Sequence, residues 1–301
     1  MLHAITLEAL KALDAIDRKG SFAAAAESLH KVPSALTYTI KKLEDELGSP
    51  LFDRSQHRAQ LTPAGQLMLE RGRDILKATY HMVESVHQLE TGWETHLRIA
   101  RDTIIPSAPI FEAVAAFNQL GHQIDFSLTV ESLGGGWDAL HSQRTDIVIG
   151  ALGEIPRGMY RTRLMANNNF IFTVARHHPL ADFEGVLNPD DLDPYPAIVI
   201  PDSSQLLPSR DAGLVNTRQI IRVDTIENKI AAQLMGLGIG FLPRHLIQEH
   251  LESGALVEKT CYLPGSGAAM YIAWRGDQEG KALQWFIDYF SNVDWQGILK
   301  G

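Results

Sequence analysis

The 301-residue chain has one cysteine and no long apolar run, and each absence excludes a class of protein. The single cysteine, Cys261, has no second cysteine in the chain to form a disulfide with, as is typical of proteins from a reducing cytoplasm. No apolar stretch approaches the roughly 20 residues that cross a bilayer. The N-terminal segment carries acidic residues within its apolar pattern, unlike a signal peptide. We therefore expect a cytoplasmic protein without a membrane partner.

The chain also lacks an excess of positive charge, since its net charge is −9 with the histidines neutral. The charge is unevenly distributed. Residues 1–65 contain eight basic and eight acidic residues, so the rest of the chain carries the whole excess. A neutral head on an acidic body indicates separate tasks. An anionic partner of the head would be repelled by the body, which favours an elongated arrangement that keeps the two apart.

Motifs for catalysis and for metal or cofactor binding are missing. The glycines of GLGIG at 236–240 lack the GxGxxG spacing of a dinucleotide site. Ser203 is not in a GxSxG elbow, and the histidines form no HExxH motif or Cys/His cluster. Cys261 is interpreted as a small apolar filler rather than a nucleophile. We expect no catalytic residue, no metal site and no cofactor, and an enzyme is the main rival interpretation.

Residues 1–61 have the spacing of three short helices and a hairpin. Apolar residues recur along one face over 6–18, Ser21 is suited to cap a second helix, and a third helix is predicted from about Pro33 to Leu47. Alternating residues at 51–62 predict a small two-stranded hairpin. Together these elements would form a winged helix-turn-helix. A plain helical bundle would explain the alanine-rich second helix equally well.

The third helix has one apolar face and one polar face. Leu36 and Ile40 are predicted to be buried, which leaves hydroxyls, lysines and one aromatic ring on the opposite face. Hydroxyl and aromatic side chains can contact base edges or phosphates, and lysines can contact phosphates. The predicted DNA-binding residues are Ser34, Thr37, Tyr38, Lys41, Lys42, Arg54 and Arg58. For each charged residue, a solvated surface position is the alternative.

Residues 62–92 are predicted to form one long helix, which Thr62 and Pro63 begin. Its apolar residues repeat every seven positions, in the two series Leu69, Leu76, Val83 and Ile75, Met82, Leu89. A long helix with such a seam is typical of a dimerising linker. The alternative is a helix packed against its own chain.

Residues 93–301 alternate between predicted strands and helices, which indicates an α/β domain with largely parallel sheets. The predicted strands are 96–101, 124–130, 145–152, 169–175, 196–201, 219–223, 239–243 and 269–274. The predicted helices between them include 109–120, 137–144, 225–236 and 281–290.

Residues 20–65 closely resemble the N-terminal domain of LysR-type transcriptional regulators. The segment GSFAAAAESLHKVPSALTYTIKKLEDELGSPLFDRSQHRAQLTPAG matches the family's GSF, AA, LH, I-x-x-LE-x-x-LG, LF-x-R and LT-x-AG elements in register. Residues 223–257 and the ARHHPLA segment at 175–181 are similar to elements of the family's effector domain. The resemblance covers essentially the whole chain.

The resemblance implies a homotetrameric regulator that binds promoter or operator DNA, dimerises through the linker helix and works with RNA polymerase. The expected fold class is α plus α/β, with a winged helix-turn-helix at 1–61, a linker helix at 62–92 and a regulatory domain at 93–301.

The regulatory domain of the family resembles type 2 periplasmic binding proteins, in which two α/β lobes hold a small-molecule effector between them. In this chain, the first lobe would comprise about 93–165 and 267–301, and the second about 166–266. The loops that match the family's site carry the predicted effector-binding residues Asp102, Thr103, Ile104, Ser132, Trp137, Asp202, Ser203, Ser204, Thr225 and Ile226.

Two positions, Tyr38 and Asp102, depart from the family pattern, and a third residue, Trp137, has a second interpretation. Tyr38 stands where many members carry arginine, and Asp102 stands where many carry serine or threonine. A carboxylate at position 102 would repel an anion, or would pair with a hydroxyl or amine of the effector. Trp137 is equally well interpreted as a core residue. A ligand sensor that does not bind DNA is the second rival interpretation, and the N-terminal pattern argues against it.

Overall fold

The computed structural model describes residues 5–53, 59–210, 217–263, 267–278 and 280–300, without the side chains of His81, Ser85 and His87. The chain divides into two compact units, Met1–Glu90 and Thr91–Gly301. Among the described residues, no helix is both long and apolar enough to span a membrane.

The first unit begins with three helices that end where the sequence predicts. They are α1 (Leu7–Lys19), α2 (Phe22–Ser28) and α3 (Pro33–Leu47). The side chains of Thr6 and Ser21 accept hydrogen bonds from backbone N–H groups in the first turns of α1 and α2. Gly20 ends α1 with a φ of 71°, a left-handed conformation that glycine adopts without strain.

A single apolar core holds these helices together. Leu13, Ile16, Leu36, Ile40 and Leu43 are all fully buried within it. The buried alanines of α2 let the neighbouring backbones approach closely. Because α3 contributes its apolar face to this core, its polar face is left at the surface.

The wing is joined to α3 through a buried carboxylate. Strands β1 (Phe52–Asp53) and β2 (Gln60–Leu61) pair antiparallel. Glu44 Oε1 accepts hydrogen bonds from the backbone N–H groups of Leu51, at 2.8 Å, and Phe52, at 3.2 Å. The start of the hairpin is therefore fixed relative to α3. The predicted basic tip, with Arg54 and Arg58, lies outside the described residues.

Helix α4 (Pro63–Thr91) is the predicted long helix. Its heptad positions have different environments, because Leu69 and Leu76 are buried whereas Val83 is 71% exposed. Further apolar side chains are exposed along the helix, namely Leu67, Ile75, Tyr80, Met82, Val86 and Leu89. The N-terminal part of the helix therefore packs on its own unit, and the C-terminal part presents an uncovered apolar surface.

The second unit contains ten strands and seven helices within its described residues. The strands are β3 (His96–Asp102), β4 (Asp125–Glu131), β5 (Ile147–Leu152), β6 (Tyr160–Asn167), β7 (Phe170–Ala175), β8 (Ala197–Val199), β9 (Ile220–Arg222), β10 (Gly240–Pro243), β11 (Leu256–Glu258) and β12 (Ala269–Arg275). The helices are α5 (Ala108–Asn118), α6 (Gly135–His141), α7 (Pro189–Leu192), α8 (Ile226–Leu234), α9 (Arg244–Glu252), α10 (Lys281–Ser291) and α11 (Trp295–Lys300).

These elements form two lobes, each built on its own sheet. The first lobe contains the five-stranded sheet with the order β4-β3-β5-β12-β6. The second lobe contains the sheet β10-β7-β11 and the parallel pair β8-β9, which a bridge between Ala197 and Ile239 joins. The predicted effector-binding residues lie at the ends of β3 and β4, in α6, in the loop after β8, and between β9 and the start of α8.

The sheets are mixed rather than largely parallel. Strand β3 runs parallel to β4 and β5, but β12 runs antiparallel to both β5 and β6. In the second lobe, β7 is antiparallel to both of its neighbours. The physical reason lies in the connections: β12 enters the first sheet from the second lobe, not through the helical crossover that parallel neighbours require.

The Glu44 contact predicts a specific change in the first unit. We expect Glu44→Ala to reduce the local free energy of unfolding by about 1–3 kcal/mol, because two buried N–H groups would lose their acceptor. Hydrogen exchange of the amides of Leu51 and Phe52 measures this change. Asp45→Ala, at an exposed position of the same helix, is the control, and equal amide protection in the two variants would contradict the role of Glu44.

Candidate DNA-binding and effector-binding sites

The exposed face of α3 carries five of the seven predicted DNA-binding residues. Ser34, Thr37, Tyr38, Lys41 and Lys42 are all exposed, and Tyr38 is 69% exposed. The hydroxyl of Thr37 donates to the carbonyl of Pro33 at 3.0 Å, so its oxygen remains able to accept from a partner. The face combines hydroxyls, a phenol and two ammonium groups within about two and a half turns of helix.

One basic residue near this face is already paired. Lys31, which precedes α3, forms an ion pair with Glu8 of α1. A phosphate contact by Lys31 would have to break that pair. The lysines at the C-terminal half of α3 have no such partner among the described residues, so they are the available phosphate-binding groups.

The predicted effector-binding loops of the two lobes contact one another directly. The backbone N–H of Ser132 donates to Ser203 Oγ at 2.9 Å, and Ser132 Oγ donates to the carbonyl of Pro201 at 2.6 Å. The N–H of Ile226, at the start of α8, donates to Thr103 Oγ1 at 3.3 Å. The predicted loops therefore come together between the lobes, and several of their polar groups pair with one another. Within the described residues, the buried Oγ of Ser204 has no hydrogen-bond partner.

The predicted residues differ in what they offer to a ligand. Asp102, Thr103 and Ser132 are buried polar residues, while Asp202, Ser203, Ser204 and Thr225 are half-buried. Thr225 Oγ1 accepts from the N–H of Asn228 as the cap of α8. The side chains of Ile104 and Ile226 belong to the apolar core, so these residues contribute only backbone groups.

Trp137 is a core residue and does not contribute its ring to a ligand site. Its side chain is fully buried among Ala100, Leu140, Val148 and other apolar residues, and its indole N–H donates to the carbonyl of Leu152 at 2.9 Å. The structure therefore shows Trp137 in the core position, which is one of the two interpretations that the sequence left open. The glycines before it allow α6 to begin close to the sheet, which turns the ring inward.

The structure adds cross-lobe residues that the sequence analysis missed. Glu131 accepts from Ser203 Oγ at 2.5 Å, and the N–H of Gly134 donates to Asp202 at 2.9 Å. His245 Nε2 donates to the carbonyl of Ile104 at 2.9 Å, and burial lowers the pKa of this histidine, which favours the neutral ring. Glu131 was detectable in principle because it directly precedes Ser132, but no sequence pattern marks His245.

Asp102 occupies an unusual environment for a carboxyl group. Burial raises its pKa from 3.8 to about 7, although a hydrogen bond from the N–H of Ile104 partly opposes this shift. The carboxylate of Asp202, across the lobe interface, also raises the pKa. The site therefore contains two nearby acidic groups, one of which holds its proton close to neutral pH.

This pKa predicts how stability depends on pH. The folded state holds the Asp102 proton more tightly than the unfolded chain, so the free energy of unfolding should fall as the pH rises from about 4 to about 7. Each unit of pKa difference corresponds to about 1.4 kcal/mol. Asp102→Asn should remove this part of the pH dependence in urea denaturation followed across that range. Asp125→Asn, at an exposed position, is the control, and a wild-type pH dependence in Asp102→Asn would contradict the assignment.

Comparisons with known proteins agree along the whole chain. Residues 7–66 match the bacterial regulatory helix-turn-helix protein family of the lysR type, and residues 90–294 match the LysR substrate binding domain. The chain is 38% identical over 283 residues to the HTH-type transcriptional regulator YeeY of Escherichia coli K12, covering 94% of this chain and 92% of that protein. It is 33% identical to the HTH-type transcriptional regulator PunR of Escherichia coli K12, covering 95% of this chain and 92% of PunR.

The fold is also found among solved structures. Full-length CbnR in complex with its target DNA has a TM-score of 0.60 at 18% identity, covering 95% of this chain and 99% of that one. A full-length OxyR variant from Pseudomonas aeruginosa has a TM-score of 0.52 at 17% identity, covering 97% of this chain and 95% of that one. These likenesses concern the fold. Together with the family matches and the curated relatives, they identify the chain as a member of the LysR family of DNA-binding transcriptional regulators with an effector-binding domain.

Proposed function

We propose that this regulator binds promoter or operator DNA through the exposed face of α3 and that a small-molecule effector bound between the two lobes controls its action. The observation that carries the DNA part of the proposal is the uninterrupted polar face of α3. Leu36, Ile40 and Leu43 are fully buried, while Ser34, Thr37, Tyr38, Lys41 and Lys42 are exposed.

The chemistry of this face suits the major groove. In helix-turn-helix proteins, the N-terminal residues of the second helix contact base edges. Ser34, Thr37 and Tyr38 lie in the first half of α3 and are proposed to contact bases or neighbouring phosphates. Lys41 and Lys42 lie further along and are proposed to bind phosphates, as are Arg54 and Arg58 of the wing. Because Tyr38 replaces the arginine of many family members, base preference should differ most at its contact.

The proposed effector site lies where the loops after β3 and β4 meet the loop after β8 and the start of α8. The side chains of Asp102, Thr103, Ser132, Asp202, Ser203, Ser204 and Thr225 line this site in the structure, and Ile104 and Ile226 present backbone groups to it. The direct contacts between loops of different lobes support this location, because a ligand that changes these contacts changes how the lobes are held together.

The proposed assembly is a homodimer formed through the linker helix, with two dimers forming a tetramer. The exposed apolar side chains along the C-terminal part of α4 support this proposal, since an apolar seam on a long helix is stabilised by a second copy. The proposed division of the chain is a DNA-binding domain at 1–61, the linker at 62–92 and a regulatory domain at 93–301. Acting on promoters, the protein would work with RNA polymerase in the cytoplasm.

A lysine substitution tests the DNA-binding face. Lys41→Ala should weaken binding to the DNA upstream of the protein's own gene and reduce the slope of log affinity against log salt by about 1, because one phosphate contact is lost. Lys19→Ala, at an exposed position of α1, is the control. Gel-shift titrations at several salt concentrations measure both effects. Equal slopes for Lys41→Ala and wild type, or no shift by the wild type at low salt, would contradict the proposal.

A charge in the apolar surface of α4 tests self-association. Leu89 is 86% exposed, so Leu89→Asp should fold normally but shift sedimentation velocity towards smaller species, because a buried carboxylate at a helix interface is costly. The control is Val186→Asp, which places the same charge at an exposed apolar residue of the second unit and should sediment like the wild type. Identical sedimentation of wild type and Leu89→Asp would show that this surface is not the interface.

A further inference from the structure

Residues 201–210, which we call the strap, leave β8 of the second lobe and lie against the first lobe. The far end of the strap is held by a carboxylate of α6. Asp138 is fully buried and accepts from the N–H groups of Leu206, at 2.7 Å, and Leu207, at 2.6 Å. Burial opposes ionisation of this group, but these N–H groups and the guanidinium of Arg144 lower the pKa of Asp138 overall. The strap is therefore bound to the first lobe through a charged acceptor.

The last residue of the strap adds a second anchor. Arg210 donates from its guanidinium to the carbonyls of Leu152 and Glu154, each at 2.7 Å. The side chain of Leu207 also packs against the apolar cluster that contains Trp137. The backbone N–H of Arg210 also donates to the carboxylate of Asp202 at 2.6 Å, so this anchor is connected to the proximal end of the strap.

The proximal end of the strap consists of Asp202 and Ser203, which bind polar groups at the end of β4. Ser203 Oγ donates to the carboxylate of Glu131 at 2.5 Å and accepts from the N–H of Ser132 at 2.9 Å. The carboxylate of Asp202 accepts from the N–H of Gly134 at 2.9 Å. The strap thus offers the first lobe one hydroxyl that both donates and accepts, and one carboxylate next to it.

Two glycines of the first lobe make this approach possible. A Cβ on Gly135 would lie 1.8 Å from Ser203 Oγ, and a Cβ on Gly134 would lie 2.7 Å from the Asp202 carboxylate. Neither glycine has a positive φ, so the backbone conformation alone does not require glycine at these positions. The lack of side chains instead leaves the space that the hydroxyl and the carboxylate fill.

We propose that the proximal strap is an internal competitor for the effector and that the effector is a small hydroxy- or amino-carboxylate. This inference rests on the proposed function, in which the effector binds between the lobes at these loops. A ligand that displaces Ser203 and Asp202 must satisfy the groups that they leave, because an unpaired buried polar group costs about 1–3 kcal/mol, and more if it is charged. Glu131 Oε2 requires a donor, since Arg144 donates to Oε1 only, and the N–H groups of Ser132 and Gly134 require acceptors.

Simpler ligand classes satisfy only half of this set. A plain carboxylate would accept from the two N–H groups but would leave Glu131 Oε2 without a donor, because Arg144 donates only to Oε1. A plain amine would pair with Glu131 but leave the N–H groups without acceptors. A hydroxyl or ammonium adjacent to a carboxylate reproduces both interactions of the strap. Asp102, buried across the interface with its raised pKa, adds a second acceptor for such a donor.

Two substitutions have opposite expected effects on ligand binding. Ser203→Ala removes the competing hydroxyl and leaves Glu131 Oε2 without its donor when no ligand is bound, while Arg144 still donates to Oε1, so it should tighten binding about tenfold. Gly135→Ala places a Cβ where the hydroxyl of strap or ligand must lie, so it should abolish binding. The controls are Ser253→Ala, at an exposed serine, and Gly267→Ala, whose Cβ would have no heavy atom closer than 3.7 Å.

The experiment is isothermal titration of the full-length protein with L-lactate and L-serine, compared with propionate and ethylamine. We expect binding of one or both of the first pair, no comparable binding of the second pair, and the opposite responses of the two variants. Comparable binding of propionate or ethylamine, or no binding of L-lactate and L-serine to wild type and Ser203→Ala alike, would overturn the ligand class. Binding that neither Ser203→Ala nor Gly135→Ala changes would overturn the competition by the strap.

A third variant, Thr103→Val, distinguishes failure of the strap proposal from failure of the proposed effector site. Thr103 lies at the lobe interface but does not contact the strap; its hydroxyl accepts from Ile226. If Thr103→Val weakens binding while Ser203→Ala and Gly135→Ala do not affect it, the ligand binds between the lobes and only the strap proposal fails. If none of the three variants affects the binding, the site lies elsewhere and the proposed effector site fails as well.

Discussion

Burial of the apolar face of α3 is the constraint on which the DNA-binding unit depends. Leu36, Ile40 and Leu43 are fully buried against α1 and α2, so the rotation of α3 about its own axis is fixed. That rotation decides which side chains are available to DNA. Glu44 extends the same constraint to the wing through its bonds to Leu51 and Phe52. One apolar stripe and one buried carboxylate therefore position α3 and the first strand of the wing.

In the second unit, polar contacts connect the loops of the two lobes at the proposed effector site. Its two lobes share a buried apolar cluster that includes Ile104 and Ile226, and hydrogen bonds of Ser132, Ser203 and Asp202 connect the neighbouring loops. Hydrogen bonds of this kind contribute modestly to stability when they are made and cost more when one partner is left unpaired. An interface of this type can be exchanged for ligand contacts of matching chemistry, which a purely apolar interface would not specify.

The sequence predicted the family, the fold class and the regulatory function, and these predictions are confirmed. Local signals were sufficient for α1 to α4, because caps, glycines and apolar periodicity agree there. Strand β6 was missed because its sequence, YRTRLMAN, is polar at alternate positions, as suits an edge strand. Helix α9 was missed because RHLIQEHLE is largely polar and directly follows a buried strand. The core that surrounds Trp137 includes Ala100, Val148 and Ala273 of three different strands, and no local pattern predicts contacts between residues so far apart in sequence.

Side-chain footprinting of the full-length protein with hydroxyl radicals tests most directly whether α3 presents this face to DNA. Tyr38 is 69% exposed, and Tyr262 of the second unit is 38% exposed and serves as an internal reference. Saturation with DNA from upstream of the protein's own gene should strongly reduce the oxidation of Tyr38 and leave that of Tyr262 unchanged. Unchanged oxidation of Tyr38 in a saturated complex would contradict the account.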